Sequence, residues 1–126
     1  MIRAALLLAL CVTAQAAPPD SFFWALHLVE TGGRTGPIIG DNGRALGPLQ
    51  IHRAYHIDSR VAGDYSRCAD LDYSKRVVSA YLQRYAPAAW KSGDVTTLAR
   101  IHNGGPRGAS KPATINYALK VSRLAK

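Results

Sequence analysis

Cysteine is almost absent from the chain, which has two in 126 residues, Cys11 and Cys68. Cys11 falls in an N-terminal apolar stretch; once that is removed, Cys68 stands alone and no intrachain disulfide can close a loop. Stability must then come from packing, and Cys68 is expected to be a small buried residue rather than a reactive thiol. Long hydrophobic runs are missing too. The uncharged apolar run from Ala4 to Val12 is nine residues, too short to span a hydrocarbon core of roughly 30 Å as a helix. Placed behind Met1-Ile2-Arg3 and ahead of small residues through Ala17, it reads as a signal peptide over 1–16 with an A-x-A cleavage site ending at Ala16. A lipid anchor on Cys11 is the competing reading, and Leu10 argues against it, because lipidated cysteines follow small residues. What remains, 17–126, has no other segment able to cross a membrane, no repeat and no low-complexity linker. A single domain, secreted or periplasmic, is expected.

Acidic side chains are scarce, eight against sixteen Lys and Arg, for a formal charge of +8. Without Arg3 it is +7. Such a chain is attracted to polyanions, but its basic residues are scattered without a dense run, and export favours an anionic cell envelope over nucleic acid as the partner.

Helical periodicity accounts for most of the remainder. Phe22, Ala25, Leu26 and Val29 recur at i, i+3, i+4, i+7 and predict an amphipathic helix over 20–30, capped by Asp20 or Ser21 and ended by Gly32-Gly33. Between residues 34 and 47 glycines punctuate short apolar pairs, and Asp41-Asn42-Gly43 is a tight-turn signal, so a small β-hairpin or extended loop is expected. Helical spacing resumes from Leu49 to Asp58. The longest helix is expected from Asp72 or Ser74 to Tyr85 with Pro87 after it, another behind Asp94 as N-cap up to Gly104-Gly105-Pro106, and a last one over 114–124. The fold class is α+β, mostly helical.

Glutamate occurs once, as Glu30. It falls in the last turn of the first helix, beside the apolar face. Cleaving a glycosidic bond needs a carboxylic acid that stays protonated near neutral pH, and an apolar neighbourhood at the negative end of a helix dipole disfavours the charged form. A solvated helix-end residue would occupy the same position. His102-Asn103-Gly104-Gly105 closes a helix with a backbone that could approach a sugar and an amide that both donates and accepts; the same residues suit an ordinary left-handed helix cap. His52 and His56 stand at i, i+4 with no acid between them, which is a poor metal site. Asp58 is read as fixing the end of the second helix, and Asp64, Asp70, Asp72 and Asp94 as turn or cap residues.

Taken together, Val29-Glu30-Thr31-Gly32-Gly33, Gly40-Asp41, Gly47-Pro48-Leu49-Gln50-Ile51, Ala54-Tyr55-His56-Ile57-Asp58, Tyr81-Leu82-Gln83-Arg84-Tyr85 and Ala99-Arg100-Ile101-His102-Asn103-Gly104-Gly105-Pro106 resemble, in order and spacing, the invertebrate-type lysozymes. Thr114-Ile115-Asn116-Tyr117 completes the series. The resemblance implies a lysozyme-like domain with a small β-hairpin beside an active-site cleft, acting without a cofactor on peptidoglycan glycan strands. It implies Glu30 as the general acid, Asp41 as nucleophile or stabiliser, and Gln50, Tyr55, His102, Asn103, Gly104 and Tyr117 as substrate contacts. Asp-Asn-Gly is also what a tight turn selects for conformational reasons, so a lytic transglycosylase using Glu30 alone, or a non-catalytic cationic wall binder, stays open at this point. That family is usually disulfide-rich, whereas Arg, Gly, Pro, Ala or Ser stand at the expected partner positions here. This departure and the short leader suggest a bacterial or phage-derived protein.

Overall fold

Proline opens the first helix in the computed structural model, which describes residues 17–126; the signal-peptide segment and Cys11 lie outside the described residues. Pro19 is the N-cap of α1 (Asp20–Thr31), with Asp20 in the first turn and no side-chain cap. Capping by Asp20 or Ser21 was the expectation. Ser21 is drawn away because its hydroxyl donates to the carbonyl of Ala125 at 2.8 Å, tying the start of α1 to the end of the last helix. Gly32 terminates α1 at φ 66°, and the amides of Gly32 and Gly33 return to Leu28 and His27, as a left-handed cap requires.

The loop that follows builds three strands where a hairpin was expected. β1 (Ile39–Gly40) and β2 (Ala45–Leu46) form the hairpin, with Ile39 opposite Leu46, and β3 (Ile51–His52) adds antiparallel to β2, with Leu46 opposite Ile51. Gly47, at φ 84°, sits where a Cβ would fall into the carbonyl of Cys68, so the loop between β2 and β3 closes onto the core only with glycine. The second helix begins later than its apolar spacing predicts: α2 is Arg53–Ser59. Leu49 and Ile51, two apart, are the inward residues of a turn and a strand rather than a helical stripe.

α3 (Leu71–Tyr85) starts ahead of Asp72 and Ser74 because Asp70 caps it, its carboxylate accepting the Tyr73 amide at 2.8 Å. Pro87, read in the sequence as a stop, opens the unexpected α4 (Pro87–Ser92); proline suits a first helical turn, where no amide partner is needed. Asp94 caps α5 (Val95–Gly104) through the Thr97 amide and hydroxyl, and α6 (Ile115–Leu124) closes the chain.

Helix α3 is central, burying Tyr73, Val77, Val78, Tyr81 and Leu82. Phe22, Ala25 and Leu26 of α1, Leu98, Ala99 and Ile101 of α5, and Ala118 and Val121 of α6 join it, while Leu49, Ile51 and Cys68 seal the side nearest the sheet. Truncating one such leucine to alanine typically costs about 2–5 kcal/mol. Burial pushes the Cys68 thiol up to about 11. Among the described residues, no helix is long and apolar enough to cross a membrane.

Candidate active site

The C-terminal end of α1 and strands β2 and β3 share a concavity of about 650 Å³, lined among others by Glu30, Asp41, Gln50, Tyr55, His102 and Asn103. It brings together residues from α1, the β1–β2 turn, β3, α2 and α5 that are up to seventy-odd positions apart in sequence. The end of α1 is fixed there because Thr31, buried, donates its hydroxyl to the carbonyl of Pro48 at 3.0 Å.

Glu30 is mostly withdrawn from solvent, its side chain 18% exposed. The Tyr117 hydroxyl donates to Glu30 Oε1 at 2.6 Å across 87 residues of sequence. His102 Nε2 stands 3.4 Å from the same oxygen, on a side chain 4% exposed. The other ring nitrogen of His102, Nδ1, is 2.9 Å from the Tyr55 hydroxyl, and Tyr55 is stacked on Tyr81 with ring centroids 3.6 Å apart. Both protein contacts therefore converge on Oε1. Withdrawal from water, reinforced by the Glu30 carboxylate, holds the Tyr117 and Tyr55 hydroxyls well above the ordinary tyrosine value; for Tyr55, neighbouring Tyr81 adds to the effect. Tyr117 is thus a hydrogen-bond donor throughout the range in which a carboxyl titrates.

Asp41 lies in a different setting. Its side chain is 45% exposed, Arg44 Nη2 lies 3.2 Å from Oδ1, and His52 Nε2 lies 3.0 Å from Oδ2. Its backbone is left-handed at φ 49°, as is that of Asn42 at 54°, a conformation that Asp and Asn tolerate better than most residues. The turn chemistry read in Asp-Asn-Gly is therefore real, and the same turn lifts the Asp41 carboxylate into the cleft.

Gln50 is a brace as well as a wall. It adopts φ 51°, and its Nε2 donates to the carbonyls of Ile38 at 3.2 Å and Gly47 at 3.0 Å, leaving only the amide oxygen uncommitted. Asn103 lines the cleft. Gly104 does not: its α-carbon faces the Thr114 methyl, with Lys111 beside it, and its carbonyl accepts from Lys111 Nζ at 2.6 Å. The next residue, Gly105, lines the cleft in its place. Tyr117 reaches the site only through Glu30. The two histidines part company: His52, at the end of β3, turns to Asp41, while buried His56 of α2 pairs with the Tyr73 hydroxyl at 2.8 Å. Among the described residues no three His, Cys, Asp or Glu side chains are grouped to hold a metal ion.

Two features of the cleft had no signal in the sequence. Asp58, read as a helix-end residue, lines the cleft as a third carboxylate, and His52 partners Asp41. Nothing in local spacing signals either, because Asp58 reaches the cleft through the setting of α2 and His52 meets Asp41 through the pairing of β3 with β2.

No family model matches the chain. A lysozyme of Ostrea edulis is 40% identical over 81 residues, which are 60% of this chain and 58% of that protein. Invertebrate-type lysozyme 6 of Caenorhabditis elegans is 37% identical over 85 residues, 58% of this chain and 62% of that protein. The chain thus spans little more than half the length of these two curated relatives. A lysozyme of Meretrix lusoria is 37% identical over 82 residues, 64% of this chain and 67% of that protein. The crystal structure of inhibitor-bound lysozyme from the same organism aligns with a TM-score of 0.71 at 30% identity, covering 85% of this chain and 90% of that one.

Proposed function

The chain belongs to the invertebrate-type lysozyme family, and from that premise we propose that it is a muramidase, hydrolysing the β-1,4 bond between N-acetylmuramic acid and N-acetylglucosamine in peptidoglycan. The observation that carries this reading is a lone glutamate, shielded from solvent and held from behind by Tyr117, facing an exposed aspartate across one cleft.

In the proposed reaction, Glu30 is the general acid and protonates the leaving glycosidic oxygen as its bond to the anomeric carbon breaks. Since Tyr117 and His102 both address Oε1, the transferred proton is carried on Oε2. In this reading the Tyr55 hydroxyl, 2.9 Å away, donates to His102 Nδ1, and the ring hydrogen is then on Nε2, directed at Glu30. Asp41 bonds to or stabilises the developing positive anomeric carbon. A water then attacks that carbon, Glu30 takes its proton, and Asp41 is released, with net retention. Arg44 and His52 hold the Asp41 carboxylate for this task, and Gln50, Tyr55 and Asn103 form the walls of the sugar site.

The substrate is a polymer of the cell envelope, to which a positively charged chain is drawn. Secretion or periplasmic export follows in this reading from cleavage of the leader near Ala16. Purified peptidoglycan digested with the protein is expected to yield free reducing muramic acid ends with the β configuration first formed. Anhydro-muramic ends would replace this reading with a transglycosylase in which Asp41 forms no bond, and absence of soluble product would leave a wall-binding protein.

A further inference from the structure

Away from the cleft, the outer faces of α1 and α3 enclose a second hollow of about 580 Å³ that shares no lining residue with the first. Its floor includes Phe23, anchored edge-on against Phe22 at 5.3 Å and Trp90 at 6.5 Å. Trp24, the next residue, has no aromatic partner among the described residues and is 55% exposed. An indole is a large apolar surface to leave in water, and a concave setting gives it a flat platform rather than an isolated exposed patch.

Lys75 and Arg76 project from α3 onto the same hollow. Neither enters an ion pair with another described residue, although the Arg76 guanidinium lies 5.3 Å over the Tyr73 ring. Asp20 is the only acid in the lining, and His27 is occupied, its Nε2 lying 2.6 Å from the carbonyl of Arg34. The lining is therefore net cationic around an exposed aromatic face. The matching ligand presents a flat apolar face for the indole, polar groups at its rim, and a negative charge.

We propose that this hollow is a second binding site for an anionic N-acetylated glycan strand, resting on the muramidase reading above, so that one polymer chain can be held on Trp24 while another stretch is cut in the cleft. A sugar ring stacks on Trp24 and a strand carboxylate faces Lys75 and Arg76. The site does no chemistry; it raises the local concentration of polymer at the cleft, an effect that a substrate too short to reach both sites does not feel.

The test compares full-length Glu30→Gln protein with the Glu30→Gln, Trp24→Ala double variant in co-sedimentation with intact peptidoglycan sacculi. Trp24 is exposed, so its loss leaves the core unchanged. Retention of the double variant is expected to be about tenfold weaker, the size of losing one aromatic platform. Lys75→Gln should weaken retention in low salt and make little difference in high salt. Otherwise wild-type Trp24→Ala should cut a short soluble oligosaccharide as fast as the parent while digesting sacculi more slowly. Equal retention of the two inactive proteins, or equal loss on short and long substrates, overturns the site. So does an oligonucleotide that perturbs the tryptophan fluorescence of the parent but not of Trp24→Ala, where soluble glycan strands perturb neither. If the parent leaves the short oligosaccharide intact, it is the muramidase reading that fails, and sedimentation still decides the Trp24 site.

Discussion

Of the three carboxylates that line the cleft, Glu30 and Asp41 are supported in opposite ways. Glu30 ends a helix, is shielded from water, and receives a buried tyrosine hydroxyl and a buried imidazole on one oxygen. Asp41 rides on a turn, is nearly half exposed, and is held by the exposed heads of Arg44 and His52. A carboxyl set into packed structure has its geometry fixed by the fold as a whole. One held by exposed ion pairs is positioned mainly by its own backbone, because exposed pairs contribute only about 0–1 kcal/mol each. Glu30 therefore depends on residues distant in the sequence, and Asp41 on local turn geometry.

The largest effect is expected from Glu30→Gln, which preserves shape and removes the proton. Turnover of peptidoglycan is expected to fall by about a thousandfold, with an unchanged melting temperature; residual activity near the parent level would remove Glu30 from the mechanism. Asp41→Asn comes next. Asn forms the same left-handed turn, so the backbone survives, and a loss of about a hundredfold in kcat would separate charge from conformation. An unaffected rate would return Asp41 to a purely structural role.

Tyr117→Phe tests whether Glu30 depends on its distant support. Deleting a hydrogen bond to a charged group is expected to lower kcat by about tenfold with KM nearly constant, since the hydroxyl touches Glu30 and lines no part of the sugar cleft. A rise in KM at unchanged kcat would instead make Tyr117 a substrate contact. The smallest effect is on stability at high pH. Burial, with help from neighbouring Tyr85 and Asp58, lifts Tyr81 from the ordinary 10.0 to about 12, so between those values the unfolded chain loses its proton first. Stability is then full below pH 10 and falls as pH rises toward 12. Denaturant melts across that window should show the decline, and Tyr81→Phe should make it shallower, Tyr55 and Tyr117 supplying the rest.

How much of this was legible depended on how local its cause was. α1 and the placement of Glu30 follow from four apolar residues at helical spacing and a Gly-Gly stop. Asp94 as an N-cap follows from its position before Val95 and Leu98. Where one residue type serves two local purposes, the reading went astray: Pro87 both ends one helix and starts another, and Leu49 with Ile51 fits a short strand as well as a helix. The contact between Tyr117 and Glu30 had no local cause, since it exists only because α6 packs on α1. Resemblance pointed to Tyr117, but as a sugar contact, and only the packing of the two helices places its hydroxyl on Glu30. Gly104 shows the converse. Its motif suggested close approach to a ligand, while the close approach is to Thr114.

The scarcity of cysteine acquires a practical meaning from the place of Cys68. The one thiol among the described residues is fully enclosed, and its ionisation is pushed up to about 11, so little thiolate forms near neutrality and oxidants have little access to it. With no covalent staple among those residues, folding of this part of the chain calls for no oxidant, isomerase or particular glutathione balance. Its melting temperature should be the same with and without dithiothreitol, and the protein should fold equally well in the bacterial cytoplasm or in an oxidising medium.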